Sequence, residues 1–116
     1  MKDVDSISPS LRENEKLALR KLSKDIGVLY PDAEIILFGS RARGEGTHES
    51  DLDILILISH AVDEKVSNSI NDVSYPIELE YDVVFGKIIE EKSKWNSPIY
   101  KVLPLHQNVD REGIRL

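Results

Sequence analysis

Two short segments of the chain hold the residue types that metal-assisted phosphoryl chemistry needs. Residues 39–44 are Gly-Ser-Arg-Ala-Arg-Gly, and residues 50–56 are Ser-Asp-Leu-Asp-Ile-Leu-Ile. A glycine–serine turn lets backbone amides approach a phosphate group. Asp51 and Asp53 are two residues apart at the start of an apolar run, so on a strand their side chains point to the same side. A phosphate-binding turn beside a carboxylate pair indicates nucleotidyl transfer assisted by a divalent metal ion.

The aspartate pair also has a structural explanation. Asp51 could end a turn, and Asp53 could be hydrated at the end of a strand. Two like charges beside a buried strand are costly to desolvate unless a cation lies between them. The preceding glycine–serine turn favours the metal-binding interpretation, so we predict that Asp51 and Asp53 are catalytic metal ligands.

A third carboxylate is expected from a neighbouring strand. Asp82 lies in a Tyr-Asp-Val-Val segment, which reads as the end of a strand over residues 77–85. Glu78 and Glu80 share the face of Asp82 in a strand of period two, so spacing does not distinguish the three. We predict Asp82 because the apolar residues that follow it would anchor it deepest in the sheet.

Four residues are candidates for binding the nucleotide phosphates. Gly39 permits close backbone approach, and Ser40 offers a hydroxyl and an amide at the start of a turn. Arg43 could bind a triphosphate through its guanidinium, and the case for Arg41 is weaker. Both arginines could instead pair with neighbouring acids. Ser50, which opens the second segment, completes the predicted nucleotide-binding set.

The elements that must position these residues follow from the hydrophobic spacing. Ser10 and Glu13 have the spacing of a capping box, and leucines then recur at helical intervals. The run after Asp51 is apolar on both faces, which predicts a central strand covered on both sides. We predict helices over about 11–29, 60–73 and 87–95, strands over 33–38, 52–58 and 77–85, a turn over 39–44, a polar loop over 45–49, and a helical tail after Pro98 that Pro104 breaks and residues 111–113 close.

The order of these elements predicts an α+β fold with a mixed sheet of three or four strands flanked by helices. The 116 residues allow a polar arm over 1–9 and one domain over 10–116. A net charge of −6 argues against a surface that grips duplex nucleic acid. The chain has no cysteine, no apolar run long enough for a membrane span, and an acidic N-terminus unlike a signal peptide, so we expect a cytoplasmic protein.

The two segments together resemble the signature of the DNA polymerase β-like nucleotidyltransferases, and most closely the minimal nucleotidyltransferase branch. That pattern is Gly-Ser-x-Ala-x-Gly, a short loop, then Ser-Asp-x-Asp and an apolar strand. The resemblance covers about residues 35–58. Asp82 is similar to the third carboxylate of the family, although its strand matches more loosely, and residues 111–114 resemble the end typical of these short chains.

The resemblance implies the nucleotidyltransferase (polymerase β-like) fold and a transferase activity. It implies that Gly39 and Ser40 contact the phosphates and that the three aspartates hold Mg²⁺, with Mn²⁺ as an alternative. The reaction would move a nucleoside monophosphate, most simply AMP from ATP, to a hydroxyl group. Another nucleoside triphosphate is equally compatible with the motifs.

The resemblance also implies a partner protein. Small members of the family often pair, as antitoxins, with a helical toxin of the HEPN type. The short chain has no room for an acceptor-binding domain, so we expect either that a partner or a second subunit supplies the acceptor site or that the acceptor is a small molecule. The alternative is a catalytically weak module that neutralises such a partner by binding alone. The apolar residues 99–105 would then either pack on the sheet or form an interface.

Overall fold

The computed structural model describes residues 2–3 and 10–116, which form a mixed sheet flanked by helices. The predicted α+β fold is therefore confirmed. The sheet has one strand more than the predicted upper limit, because two of its strands are only two residues long and leave no periodic signal. The strands are β1 (Lys2–Asp3), β2 (Glu34–Phe38), β3 (Leu52–Ile58), β4 (Phe85–Glu91) and β5 (Ile114–Arg115), and the helices are α1 (Glu13–Leu29), α2 (Glu64–Tyr81), α3 (Lys92–Trp95), α4 (Pro98–Lys101) and α5 (Pro104–Glu112).

The strand order is β1-β5-β2-β3-β4. β2 is antiparallel to β3 and to β5, whereas β4 is parallel to β3. β3 is central and buried along almost its whole length, as its apolar run predicts. The antiparallel register places Phe38 opposite Asp53, so the turn that follows β2 lies directly beside the start of β3.

Alternate residues of β2 and β3 pack on opposite layers of helix. Ile35, Leu37, Ile54 and Ile56 belong to the core formed with α1 and α2. The residues between them face a second core that contains Trp95 of α3 and Val109 of α5. Since side chains alternate along a strand, Asp53 projects toward the side of α3–α5.

α1 begins later than the capping-box prediction places it. The predicted box of Ser10 and Glu13 is wrong, because the first helical residue is Glu13. The Glu15 carboxylate instead accepts a hydrogen bond of 2.7 Å from the backbone amide of Arg12. The first turn of the helix is therefore capped by a side chain two residues further along.

The predicted strand over 77–85 is also wrong, because α2 continues through Pro76 to Tyr81. Apolar residues recur at helical spacing across the proline, and Ile77 is buried on the same side as Ile70. Leu79, by contrast, is 86% exposed. Over so short a stretch, the two-residue period of a strand and the 3.6-residue period of a helix place apolar residues at many of the same positions. The helix buries both Ile70 and Ile77 in the core.

The edge strand β4 occupies most of the segment over 87–95 that the sequence predicts to be a helix, so that prediction is wrong. β4 pairs with β3 over all seven residues, from Leu52 opposite Phe85 to Ile58 opposite Glu91. Only residues 92–95 are helical. The ladder with the central strand overrides the weak helical pattern of this segment, as tertiary pairing commonly does.

The C-terminal tail both packs and exposes apolar groups. Tyr100 and Leu105 are partly buried against the second core, whereas Ile99 and Val102 are 76% and 71% exposed. Of the predicted N-terminal arm, residues 2–3 form β1 beside β5, and residues 4–9 lie outside the described part of the chain. No helix in residues 10–116 has the length and hydropathy needed to span a membrane.

We predict that Asp82→Gly stabilises the protein. Asp82 ends α2 in the left-handed conformation, with φ of 55° and ψ of 54°. That conformation costs an ordinary residue about 1–2 kcal/mol, of which glycine's extra backbone entropy cancels about 0.5–1 kcal/mol. The free energy of unfolding in urea should therefore rise by about 0.5–1 kcal/mol.

Asp72→Gly is the matched control, because Asp72 is an exposed aspartate in the middle of the same helix. It should lower the free energy of unfolding by about 0.3 kcal/mol, because aspartate is itself a poor helix former and glycine is only slightly worse. A destabilised Asp82→Gly variant would show that the Asp82 side chain makes a contribution larger than its backbone strain.

Candidate functional site

The turn after β2 brings the backbone against a carboxylate. Gly39 has φ of 77°, and a Cβ atom at this position would lie 2.3 Å from Oδ2 of Asp53. Only glycine therefore permits both the turn and the position of Asp53. The amides of Ala42 and Arg43 donate to the carbonyl of Gly39, which closes residues 39–44 into one tight turn as predicted.

Asp51 and Asp53 converge on one space at the edge of the sheet. The register of β3 and β4 places Gly86 opposite Asp53. A Cβ atom on Gly86 would lie 3.0 Å from Oδ1 of Asp53 and 3.9 Å from Oδ2 of Asp51. Both carboxylates therefore border the gap above Gly86, which confirms that the two side chains share a side.

The environment of Asp53 opposes its negative charge. Burial raises the pKa of the Asp53 carboxyl above its ordinary value, and the charge of Asp51 raises it further. The positive charge of Arg43 lowers this pKa and offsets part of the shift. Asp51 is exposed, whereas Asp53 is half-buried, so the free-energy cost of removing a negative charge from water falls mainly on Asp53.

Asp82 is not brought to this pair in the way the sequence predicts. It ends α2 instead of lying on a strand, and it borders a cleft of about 530 Å³ with Arg12 and residues 47–49. Glu78 is not the third carboxylate either, since its Oε1 accepts the amide of Phe85 at 2.8 Å. Over residues 10–116, no three His, Cys, Asp or Glu side chains are arranged to hold a metal ion. The strand position that faces Asp53 is occupied by Gly86.

Arg41 has a structural contact instead of an open surface. Its guanidinium is 2.8 Å from Oε1 of Glu15, and both side chains are buried. It also donates to the carbonyl of Thr47 at 2.9 Å. Arg41 therefore ties the turn and the following loop to the start of α1, and the weaker sequence case for it as a phosphate ligand agrees with this position.

Arg43 remains exposed at the site and is held by two acids. Its Nε donates to Glu45 at 3.1 Å, and its Nη1 donates to Oε2 of Glu112 at 2.8 Å. Oε1 of Glu112 also accepts from the amide of Gly39 at 3.3 Å. Sequence reasoning did not place Glu112 at the site, although residues 111–114 stood out as a typical chain end.

Ser40 and Ser50 approach each other across Gly46. A Cβ atom on Gly46 would lie 3.0 Å from the hydroxyl oxygen of each serine. The Ser50 hydroxyl accepts from the amide of Thr47 at 3.1 Å and shapes the loop. In the described part of the chain, no protein group accepts a hydrogen bond from the hydroxyl or the amide of Ser40. The amide and hydroxyl of Ser40 are thus available as donors to a ligand, and so is the hydroxyl of Ser50, which only accepts in this bond.

The donor set fits a hard divalent cation. Asp51 and Asp53 offer carboxylate oxygens around the same gap, and Mg²⁺ is commonly held by one or two carboxylates together with substrate phosphates. A cation there would also remove the repulsion that raises the pKa of Asp53. The described residues therefore fit one Mg²⁺ or Mn²⁺ ion held with the help of a ligand.

Comparison with known proteins also indicates a nucleotidyltransferase. Residues 19–110 match the family model described as the nucleotidyltransferase domain. Two chains of Methanocaldococcus jannaschii, both named as candidate protein adenylyltransferases, are 35% identical to this one. MJ0604 aligns over 86% of this chain and 95% of its own length, and MJ0141 over 65% and 78%.

Two solved structures of the toxin–antitoxin complex MntA–HpeT have a similar fold. One, with a tyrosine-to-alanine substitution, has a TM-score of 0.51 and 25% identity, covering 91% of this chain and 72% of the other. The second, with two aspartate-to-glutamate substitutions, has a TM-score of 0.54 and covers 90% of this chain and 72% of the other. At 22% identity it shows a likeness of fold alone. With the glycine–serine turn, the aspartate pair and the mixed sheet in place, the chain belongs to the nucleotidyltransferase domain family, as a minimal nucleotidyltransferase.

Proposed function

We propose that the chain transfers AMP from ATP, in the presence of Mg²⁺, to a hydroxyl group of a partner protein, with release of pyrophosphate as the bond between the α- and β-phosphates breaks. The observation that carries the proposal is the convergence of Asp51 and Asp53 above Gly86, next to the turn at Gly39. The names of the M. jannaschii relatives support a protein acceptor. The toxin–antitoxin complex to which the chain is similar supports a toxin as the partner, which we take to be a small helical protein of the HEPN type.

Each site residue has a defined part in this proposal. Asp51 and Asp53 hold the cation, which when bound polarises the phosphoryl oxygens. Ser40 donates its hydroxyl and amide to the phosphates, Arg43 compensates their charge, and the Gly39 turn admits the nucleotide close to the backbone. Ser50 accepts a hydrogen bond from the Thr47 amide and thereby shapes the loop that leads to Asp51.

The described residues place no third carboxylate opposite Asp53, so we do not assign Asp82 as a metal ligand. The proton of the attacking hydroxyl would then leave to a group of the acceptor or to solvent. Ile99 in α4 and Val102, the residue that follows α4, are exposed and offer an apolar surface on which a partner could dock.

The decisive experiment uses ATP labelled at the α-phosphate, with Mg²⁺ and the protein encoded beside this one. We expect label on the neighbouring protein that is absent with EDTA or with ATP labelled at the γ-phosphate. Mg²⁺ and ATP at ten times Kd should also stabilise the chain by about 1.4 kcal/mol in a thermal shift.

Complex formation without label would instead favour the binding module that neutralises its partner without catalysis. An unchanged Tm at millimolar Mg²⁺ and ATP, together with no label on any protein, would contradict the nucleotide site itself.

We predict that Asp53→Asn lowers transfer by about 100-fold or more, because the cation loses its buried ligand. In EDTA at pH 7 the same variant should have a higher Tm than the wild type, since the negative charge of Asp53 in the wild type opposes folding. The pKa of Asp53 is raised in the folded chain, so this gain should shrink as the pH falls and vanish below the ordinary carboxyl pKa of about 3.9.

Asp72→Asn, at an exposed position in α2, is the control and should shift the Tm little at any pH. Unfolding of the Asp53→Asn variant in EDTA would make Asp53 a structural residue and contradict its assignment as a metal ligand.

We predict that Gly86→Asp builds the carboxylate that this site lacks. Its Cβ would meet only the movable end of Asp53, and φ of Gly86 lies outside the left-handed region. In EDTA the added charge should lower the Tm by several degrees relative to Gly86→Asn, which has the same shape without the charge. Millimolar Mg²⁺ or Mn²⁺ should restore most of this difference, and equal metal responses in the two variants would contradict a cation site above Gly86.

A further inference from the structure

Glu112 joins the last turn of α5 to both parts of the proposed phosphate site. Its Oε2 accepts from Nη1 of Arg43 at 2.8 Å, which is the length of a strong charge-assisted bond. Its Oε1 accepts from the amide of Gly39 at 3.3 Å, which is a longer and weaker contact. The side chain is only 11% exposed, although Arg43 is 42% exposed. A nearly buried carboxylate thus holds an exposed guanidinium.

The backbone fixes Glu112 in this place. A Cβ atom on Gly113 would lie 2.5 Å from the carbonyl oxygen of Val109 and 2.9 Å from Cγ2 of Ile36. Only glycine therefore lets the chain leave α5 this close to β2. The next residue, Ile114, pairs with Leu37 in β2. Glu112 is consequently held at a set distance from the end of β2, where the turn at Gly39 begins.

Two roles for such a carboxylate predict opposite effects on nucleotide binding. It could occupy the donors that a phosphate needs, and then its removal would tighten binding. It could instead orient Arg43, and then its removal would weaken binding. In the described chain Arg43 uses Nε for Glu45 and Nη1 for Glu112, while Nη2 has no protein acceptor. The guanidinium is held by two of its nitrogens and keeps the third for a ligand.

From this geometry we propose that Glu112 is a positioning residue, which holds Arg43 in the orientation that binds the nucleotide phosphates. The inference rests on the proposed function, because it concerns the same phosphate site. An arginine side chain that is already fixed loses less rotamer entropy when a phosphate arrives. Glu112 acts through Arg43 and is not itself placed against the reacting atoms.

The test compares the affinity of the full chain for Mg²⁺ and ATP by calorimetry. Glu112→Ala should raise the Kd about tenfold, as the loss of an orienting partner commonly does. Glu112→Gln keeps an acceptor for Arg43 and should bind within about threefold of the wild type. Arg111→Ala, one residue away in α5, serves as the control with unchanged Kd, because among the described residues the Arg111 side chain hydrogen-bonds only to Asn108.

A double-mutant cycle separates positioning from a general structural effect. If Glu112 acts through Arg43, the Glu112→Ala and Arg43→Ala double variant should bind no more weakly than Arg43→Ala alone. An additional loss in the double variant would overturn the inference. In transfer assays, KM for ATP should rise in Glu112→Ala more than kcat falls, because the effect is on binding the phosphates.

The outcomes also separate this inference from the proposed function. If the wild type does not bind Mg²⁺ and ATP, the proposed function fails first. If the wild type binds and Glu112→Ala binds equally well or more tightly, the positioning role is overturned and the proposed function stands. Should Glu112→Ala not fold, Glu112→Asp keeps the charge but is one methylene too short to reach Arg43, and the same signs of change in Kd decide the question.

Discussion

The buried ion pair between Arg41 and Glu15 is the interaction on which the geometry of the site depends. Glu15 belongs to the first turn of α1, and Arg41 lies in the turn after β2. Arg41 also donates to the carbonyl of Thr47, in the loop that leads to Asp51. This one ion pair therefore joins α1, the turn over residues 39–44 and the loop that leads to Asp51. Removal of one partner from such a buried pair commonly costs about 3–5 kcal/mol, because the other charge is left uncompensated.

The pKa values of two carboxylates in this region, the buried Glu15 and the half-buried Asp53, are shifted in opposite directions. Burial alone would raise the pKa of Glu15, but the hydrogen bonds from Arg41 and from the Arg12 amide, with the charge of Arg41, lower it below its ordinary value. Glu15 thus stabilises the folded chain above the ordinary carboxyl pKa, and this contribution is lost as the pH falls through the lowered pKa. Asp53, with a raised pKa, stabilises most when protonated. The charge of Glu15 is balanced by the fixed cation of Arg41, whereas in the proposed function the charge of Asp53 would be balanced by a bound metal ion.

The sequence was sufficient for the parts of the fold that depend on local pattern. The bounds of β3 and the turn over 39–44 follow directly from the apolar run and the glycines, and they agree with the structure. α2 and β4 were mispredicted because the apolar spacing around Pro76 satisfies both periods, and only the pairing of β4 with β3 decides between them. The C-terminal strand β5 is too short to be recognised, and it becomes visible only through its pairing with β2.

The site residues divide in the same way. Asp51, Asp53 and the Gly39 turn are close in sequence, and one strand register brings them together. The contact of Arg43 with Glu112 spans 69 residues, and that of Arg41 with Glu15 spans 26. No spacing rule predicts such pairs, because they depend on how α5 and α1 pack against the sheet. The position of Gly86 at the site is also not predictable from spacing, because it depends on the pairing that places Gly86 opposite Asp53 in β3.

The position of Gly86 also bears on why an enzyme of this kind would depend on a partner. A carboxylate there would have completed the metal site within one chain, and the glycine instead leaves a gap that two aspartates border from one side. In the proposed reaction the remaining side must be filled by the nucleotide, the acceptor and water. In that reaction an incomplete site would favour transfer only when a correctly shaped acceptor is seated, because the acceptor would itself supply part of the environment of the reacting hydroxyl. The gap above Gly86 would thereby link activity to the identity of the partner.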